Sequence, residues 1–192
     1  MRTKLILTAT LLLSTLTPLA IRAAESVNSL LLANFDFESA DSASVWHAGN
    51  AKTPPAVLKL DSDSPHSGKS ALKFQPGAAE GSSFVFTGIN LPEGHGDKIR
   101  VRLYARGDGL DAGDAQINLL ERSAEKVIGW CGGKQAIVSI DAGNDWREYT
   151  AEVPVAAEAR VLTLMIRINH STPQKAVWLD DISFEFADAA TK

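Results

Sequence analysis

Residues 98–106 read KIRVRLYAR, and their strict alternation decides the fold. Ile99, Val101, Leu103 and Ala105 share one parity, while Arg100, Arg102, Tyr104 and Arg106 share the other. Successive side chains of an extended chain point to opposite faces, so this stretch is a strand with one apolar and one polar face. Working outward, the same two-residue period recurs at 31–38, 56–60, 70–75, 82–89 and 115–122, then at 126–130, 135–140, 146–153, 160–169 and 176–186. Turn-forming stretches separate these runs, among them DSDSPHSG, QPGAAEG, LPEGHGD, RGDGLDAGD and NHSTPQ. About ten short strands bounded by Gly, Pro, Asn and Asp, with almost no helical period, predict a single all-β domain, an antiparallel β-sandwich.

Composition narrows the function. The chain has 192 residues, 45% of them apolar, which is enough to build one core. Its 19 Lys+Arg against 23 Asp+Glu argue against a nucleic-acid partner, because phosphate neutralisation needs clustered cations. The lone Cys131 excludes a disulfide framework and any multi-cysteine zinc site, and reads as a buried free thiol. The first four residues, MRTK, are basic, residues 5–21 carry no charge, and AIRAA at 20–24 offers small residues for cleavage. That pattern predicts a signal peptide over 1–24 and a single exported domain over 25–192, secreted or periplasmic and without a membrane span. Losing Arg2, Lys4 and Arg22 from the 19 basic residues leaves 16 against 23 acids, a balance near −7.

Two places invite a ligand. The polar parity of 98–106 resembles that of AQINLLER (115–122), which carries Gln116, Asn118 and Arg122, and of RVLTLMIRIN (160–169), which carries Arg167 and Asn169. If these strands are neighbours in one sheet, Arg102, Tyr104, Arg106, Asn118, Arg167 and Asn169 form a basic polar face on an acidic protein; otherwise they are simply solvated. Trp130, before the Gly-Gly turn of VIGWCGGK, is the tryptophan expected to be exposed, while Trp178, by the parity of the last strand, reads as core. Exposed aromatic faces stack sugar rings, and planar polar side chains read hydroxyls. The four His lie in loops or near strand ends without metal-ligand spacing.

The second place is acidic. In NFDFES (34–39), Phe35 and Phe37 take one parity and Asp36 and Glu38 the other. In VWLDDISFEF (177–186), parity sets Asp180 with Trp178, Ile182, Phe184 and Phe186. A carboxylate on an apolar face must be paired, protonated or metal-bound. Asp36, Glu38 and Asp180, with carbonyls of Ser67 and Lys69 from the Gly-centred loop PHSGKS, make an oxygen set of the kind calcium prefers. The alternative is that Asp36, Glu38 and Asp181 are solvated and Asp180 caps a turn.

In order along the chain, NFDFES followed by VWHAG, then SPHSGKSALKF (64–74), DWREYTAEVPV (145–155), VLTLMIRI (161–168) and AVWLDDISFEF (176–186) resemble carbohydrate-binding modules of the CenC type, in the galactose-binding-like jelly-roll group. The resemblance spans about Leu31 to Phe186, and it lacks the Gly-rich start common in that family. It implies a jelly-roll sandwich with Trp46 and Trp146 in the core, a structural calcium near the chain ends at Asp36, Glu38 and Asp180, and a sugar site on a sheet face or at the loop tips.

No Glu-x-Asp-x-x-Glu strand is present, which argues against a two-carboxylate jelly-roll glycosidase. A polysaccharide lyase would need Arg167, Asn169 and His170 beside Tyr104 to neutralise a uronate and move its proton. An exported structural or protein-interaction sandwich without a sugar site is the other alternative. The sequence therefore predicts a non-catalytic module that binds a poly- or oligosaccharide, anionic glycans included, with a structural calcium and no nucleic-acid partner.

Overall fold

The alternating runs fold into two antiparallel sheets packed face to face. The computed structural model describes residues 31–49, 56–77, 81–141, 143–170 and 172–187; the expected signal segment lies outside them. Twelve strands occur in order: β1 (Leu31–Phe35), β2 (His47–Gly49), β3 (Val57–Asp61), β4 (Ala71–Gln75), β5 (Ser83–Asn90) and β6 (Lys98–Asp108), followed by β7 (Ala115–Arg122), β8 (Val127–Trp130), β9 (Val138–Ile140), β10 (Gly143–Pro154), β11 (Val161–Ile168) and β12 (Ala176–Phe186). One 3-10 turn, Cys131–Gly133, is the only helical piece among the described residues.

The first sheet runs β10-β6-β12-β4-β3, with β1 also paired to β12; the second runs β2-β5-β11-β7-β8, with β9 also paired to β7. From β4 to β7, and again from β10 to β12, consecutive strands cross between sheets in jelly-roll fashion, which keeps every ladder antiparallel. The inner faces supply the core. Ile99, Val101, Leu103 and Ala105 of β6 meet Leu162, Leu164, Ile166 and Ile168 of β11, all buried. Burial of each large side chain stabilises the fold by about 1.5–3 kcal/mol, and Phe37, Phe74 and Phe184 are wholly enclosed.

Two local breaks depart from the sequence reading. The first strand ends at Phe35, because Phe37 turns into the left-handed region at φ 57°. Asp36 then folds back, its Oδ1 accepting the Glu38 N–H at 3.2 Å, so Asp36 and Glu38 are not successive side chains on one strand face. The second break is in β12. Asp180 is opposite Tyr104 and Ser183 opposite Arg102, so two residues, Asp181 and Ile182, face Leu103 alone. This is a β-bulge, with Asp181 at φ 46°. It shifts the parity by one residue: Val177 and Leu179 point inward before it, Ile182 and Phe184 after it. Trp178 therefore lies on the opposite face from Ile182 and Phe184, where uninterrupted alternation had put them together.

Candidate functional site

The jelly-roll crossing divides the predicted polar face in two. β6 belongs to one sheet and β7 and β11 to the other, so Arg102, Tyr104 and Arg106 are on the outer face of the first sheet, and Asn118 and Arg167 on the outer face of the second. They do not form one basic patch. The lyase arrangement fails for the same reason, since Tyr104 is separated from Arg167, Asn169 and His170 by the thickness of the sandwich.

On the first sheet the cations and aromatics are used up internally. The Arg106 guanidinium packs over Trp178 at 4.1 Å and over Trp146 at 5.4 Å, while Lys73 Nζ covers Trp178 from 4.5 Å. The loop between β3 and β4 lies across this face. Its Asp63 and Ser64 carbonyls accept bonds from Arg106 Nη2 and Trp146 Nε1 at 3.1 and 3.0 Å, and its His66 ring stacks on Tyr104 at 3.6 Å. Trp178 and Trp146, expected in the core, thus belong to this outer layer; Trp46 is buried in the core cluster. Trp178 also donates to Asp61 at 2.9 Å. Burial raises the Asp61 carboxyl, but that indole, the Asp63 N–H and the charges of Lys59 and Lys73 outweigh it and hold it low. Arg100 pairs with Glu152 at 2.6 Å and Arg102 with Glu148 at 3.7 Å. Tyr104 donates to Glu148, a bond that raises the phenol above its ordinary value. Among the described residues, Tyr104, Trp146 and Trp178 of this face each have His66, Arg106 or Lys73 packed against the ring.

The second sheet is different. Register places its outward residues in rows running across the strands. One row is Gly49, Phe84, Arg167, Gln116 and Ser139; the next is His47, Phe86, Met165 and Asn118; the third is Gly88, Thr163, Leu120 and Trp130. Phe84, Phe86, Met165 and Trp130 are half-buried, and the two phenylalanine rings sit 6.2 Å apart. No Asp or Glu occupies any position in these rows. Asn118 is wholly buried; its Nδ2 donates to the Gln135 carbonyl, while its Oδ1 has no partner. Phe84, Phe86 and Met165 were not singled out from sequence, although SFVFTG alternates Phe against Val and so announces two aromatics on the face opposite the core.

Where this face meets the loops, a pocket of about 270 Å³ opens between Gly81, Ser82, Gly113, Asp114, Asn169 and His170. Ser82 Oγ donates to Asn169 Oδ1 at 3.0 Å and accepts from Arg167 Nη2 at 3.3 Å, linking the pocket rim to the sheet. Beneath it, Lys175 Nζ and Asp114 Oδ2 form a buried pair at 2.6 Å. Burial raises the Asp114 carboxyl, but the Lys175 bond, the Asp111 N–H and the charges of Lys175 and His170 together hold it below its usual range.

The acidic cluster lies where β4 and β1 share one edge of β12, and Asp180 occupies the gap between them. The 66–70 loop closes that gap with amide hydrogens. His66 and Ser67 N–H donate to Asp180 Oδ2 at 3.0 and 3.2 Å, and Asp181 N–H to Oδ1 at 2.9 Å. Glu38 accepts Lys69 N–H at 2.9 Å and Ser70 N–H at 3.3 Å. Asp181 takes His66 Nδ1 at 2.7 Å and Ser67 Oγ at 3.0 Å. Burial pushes the Asp180 carboxyl up, against the pull of its N–H donors. Calcium asks for six to eight oxygens at about 2.3–2.6 Å. Ser67 and Lys69, expected to offer carbonyls, meet the acids with N–H groups, which satisfy a carboxylate and cannot ligate a cation. In this arrangement Asp180 and Glu38 spend oxygens on amide hydrogens, and the expected set does not close around a calcium ion; the ligand atoms that gather, within 4.8 Å of one another, are those of His66, Asp180 and Asp181.

No family model and no curated protein sequence matches the chain. Solved structures do, and what they share with the chain is the β-sandwich fold. The CBM22-1 xylan-binding domain of Paenibacillus barcinonensis Xyn10C aligns with a TM-score of 0.59 at 14% identity, covering 84% of this chain and 97% of that one. A xylan-binding domain from CBM 22 gives 0.58 at 11% identity, with 84% and 97% covered. The enzymatically active domain of tailspike protein 4 from Bacteriophage CBA120 gives 0.61 at 12% identity, covering 79% of this chain and 20% of that one. At these identities the likeness is one of fold, and fold alone does not carry function.

Proposed function

We propose that the chain is an exported, non-catalytic carbohydrate-binding module whose sugar site is the outer face of the second sheet. The observation that carries this is the three-row surface, where half-buried Phe84, Phe86, Met165 and Trp130 alternate with Gln116, Arg167 and His47. Sugar rings offer apolar C–H faces and a rim of hydroxyls, and such a surface offers aromatic faces and planar hydrogen-bonding groups at matching intervals. The outer face of the first sheet is the poorer platform, because Tyr104, Trp146 and Trp178 already have His66, Arg106 or Lys73 packed against them. The neighbours described as xylan-binding support a β-linked polysaccharide as the ligand class. The ordered motifs from NFDFES to AVWLDDISFEF favour a CenC-type relative among such modules.

The test is a glycan array followed by affinity electrophoresis on retained polysaccharides. Trp130→Ala should weaken binding about five- to tenfold while the melting temperature stays close to that of the parent, since Trp130 is outside the buried core. Absence of binding to every poly- and oligosaccharide would remove the proposal.

A further inference from the structure

We infer that the sugar bound on the second sheet carries a carboxylate, in a uronate-containing polysaccharide, and that Arg167 is the residue that reads it. The inference rests on the preceding reading that this face binds sugar. It begins from how the chain distributes its charge. Three cations of the first sheet's outer face have counter-charges or aromatic cover: Arg102 has Glu148, Lys73 has Asp61 at 3.9 Å, and Arg106 lies between two indoles. Arg167 has neither. Among the described residues its bonded neighbour is Ser82 Oγ, a neutral group that orients the guanidinium without neutralising it, and its Nε is buried with no acceptor.

A half-buried guanidinium without a carboxylate costs stability, because its charge is partly stripped of water and not repaid by a partner. A binding surface that keeps such a group gains from a ligand that brings the missing anion, since guanidinium and carboxylate match in a two-bond geometry. The surroundings agree. The rows that hold Arg167 contain no acid, in a chain with more Asp and Glu than Lys and Arg. Across the ladder Arg167 is flanked by Phe84 and Gln116, an aromatic face for a ring and an amide for its hydroxyls. The nearest carboxylate in the adjoining pocket, Asp114, is committed to Lys175.

The experiment compares each of three acidic polymers, polygalacturonate, alginate and glucuronoxylan, with its own carboxyl-reduced form by affinity electrophoresis and calorimetry. At least one native polymer should bind about tenfold or more tighter than its reduced form, the scale of one charge-assisted bond. Arg167→Met should abolish that preference, so that native and reduced polymers bind alike, Arg167→Lys should retain part of it, and Arg102→Met on the other sheet should leave it intact. Equal affinity for native and reduced polymers in the parent overturns the anion inference while sugar binding stands. A preference that survives in a folded Arg167→Met overturns the assignment to Arg167. Binding to none of the six polymers and to no neutral glycan would instead remove the sugar reading itself.

Discussion

Replacing Lys175 with Met isolates what a single buried ion pair does at the end of the sandwich beside the candidate face. Lys175 Nζ lies 2.6 Å from Asp114 Oδ2, with the two side chains 10% and 6% exposed. Asp111, 4.0 Å from the ammonium, is 91% exposed and adds little. Asp114 is anchored further by the Asp111 N–H at 2.7 Å, and its own carbonyl accepts the Asn169 N–H at 2.8 Å, so the pair ties the β6–β7 and β11–β12 loops together. Methionine keeps the length and apolar stem of lysine but strands the Asp114 charge, a change that costs about 3–5 kcal/mol in buried pairs. For a domain of this size each kcal/mol moves the melting point by roughly 2–4 °C, so Tm should fall by about 6–20 °C. The pH response carries the sign. In the parent, Asp114 has a depressed pKa, so its contribution is present above the ordinary carboxylate value near 3.8 and is lost as pH falls through the folded value. In Lys175→Met burial, the Asp111 N–H and the His170 charge still act on that carboxyl; burial, the largest of them, should dominate, raise its pKa, and make the variant gain stability relative to the parent as pH falls into the acid range. Adding Asp114→Asn should recover at least about 1.5 kcal/mol. Tryptophan fluorescence in urea, from pH 4 to 7, measures all three. A Lys175→Met protein within about 1 kcal/mol of the parent, with the parent's pH slope, would refute the reasoning.

The amide-closed acids predict that EDTA leaves Tm unchanged and that millimolar calcium adds nothing. A ligand at a hundred times its Kd stabilises by about 2.7 kcal/mol, so a calcium-dependent rise of 5 °C or more would contradict the geometry. Gly68 has φ 58°, and a Cβ there would come within 2.2 Å of Glu38 Oε1. Gly68→Ala should therefore cost about 1–3 kcal/mol in chemical denaturation, and a neutral result would show that the loop is not locked. Burial, followed by the charge and hydrogen bond of Glu121, pushes the Cys131 thiol well above its ordinary value. Alkylation by iodoacetamide at pH 8 should be about a hundredfold slower in the native protein than in urea, and comparable rates would count against the buried assignment.

The alternation of KIRVRLYAR was legible because each face of that strand meets a uniform environment. The sheet it joins was not: strands adjacent in sequence can be adjacent in space or cross to the other layer, and β6 and β7 cross. The periodicity therefore found the right faces and grouped them wrongly. The bulge at Asp181 was hidden for a related reason. One inserted residue inverts the parity of everything after it, and an aspartate at positive φ leaves no mark in hydrophobicity. The two-residue return of Asp36 onto Glu38 was equally silent. What the sequence did contain, and the arginine-rich strands overshadowed, was the Phe84–Phe86 pair, because charge drew attention to a face whose charges turn out to be spent.

That redistribution reverses an expectation about salt. An arginine-rich patch would bind polyanions best at low ionic strength, with affinity falling steeply as counterions compete. On the structure, the Arg100 and Arg102 charges are neutralised by Glu152 and Glu148, and the chain carries 19 bases against 23 acids, a net −4. At 10 mM salt the Debye length is about 30 Å, so a uronate polymer feels the repulsion of the whole molecule; at 150 mM it is about 8 Å, and only the local surface counts. The contact at Arg167 is half-buried and screened far less than the distant acids. Affinity for an acidic polysaccharide should accordingly stay flat or rise between 10 and 150 mM sodium chloride, measured by calorimetry at fixed pH. A steep fall in log affinity against log salt would mean that several free cations meet the polymer together, in place of the single half-buried contact at Arg167.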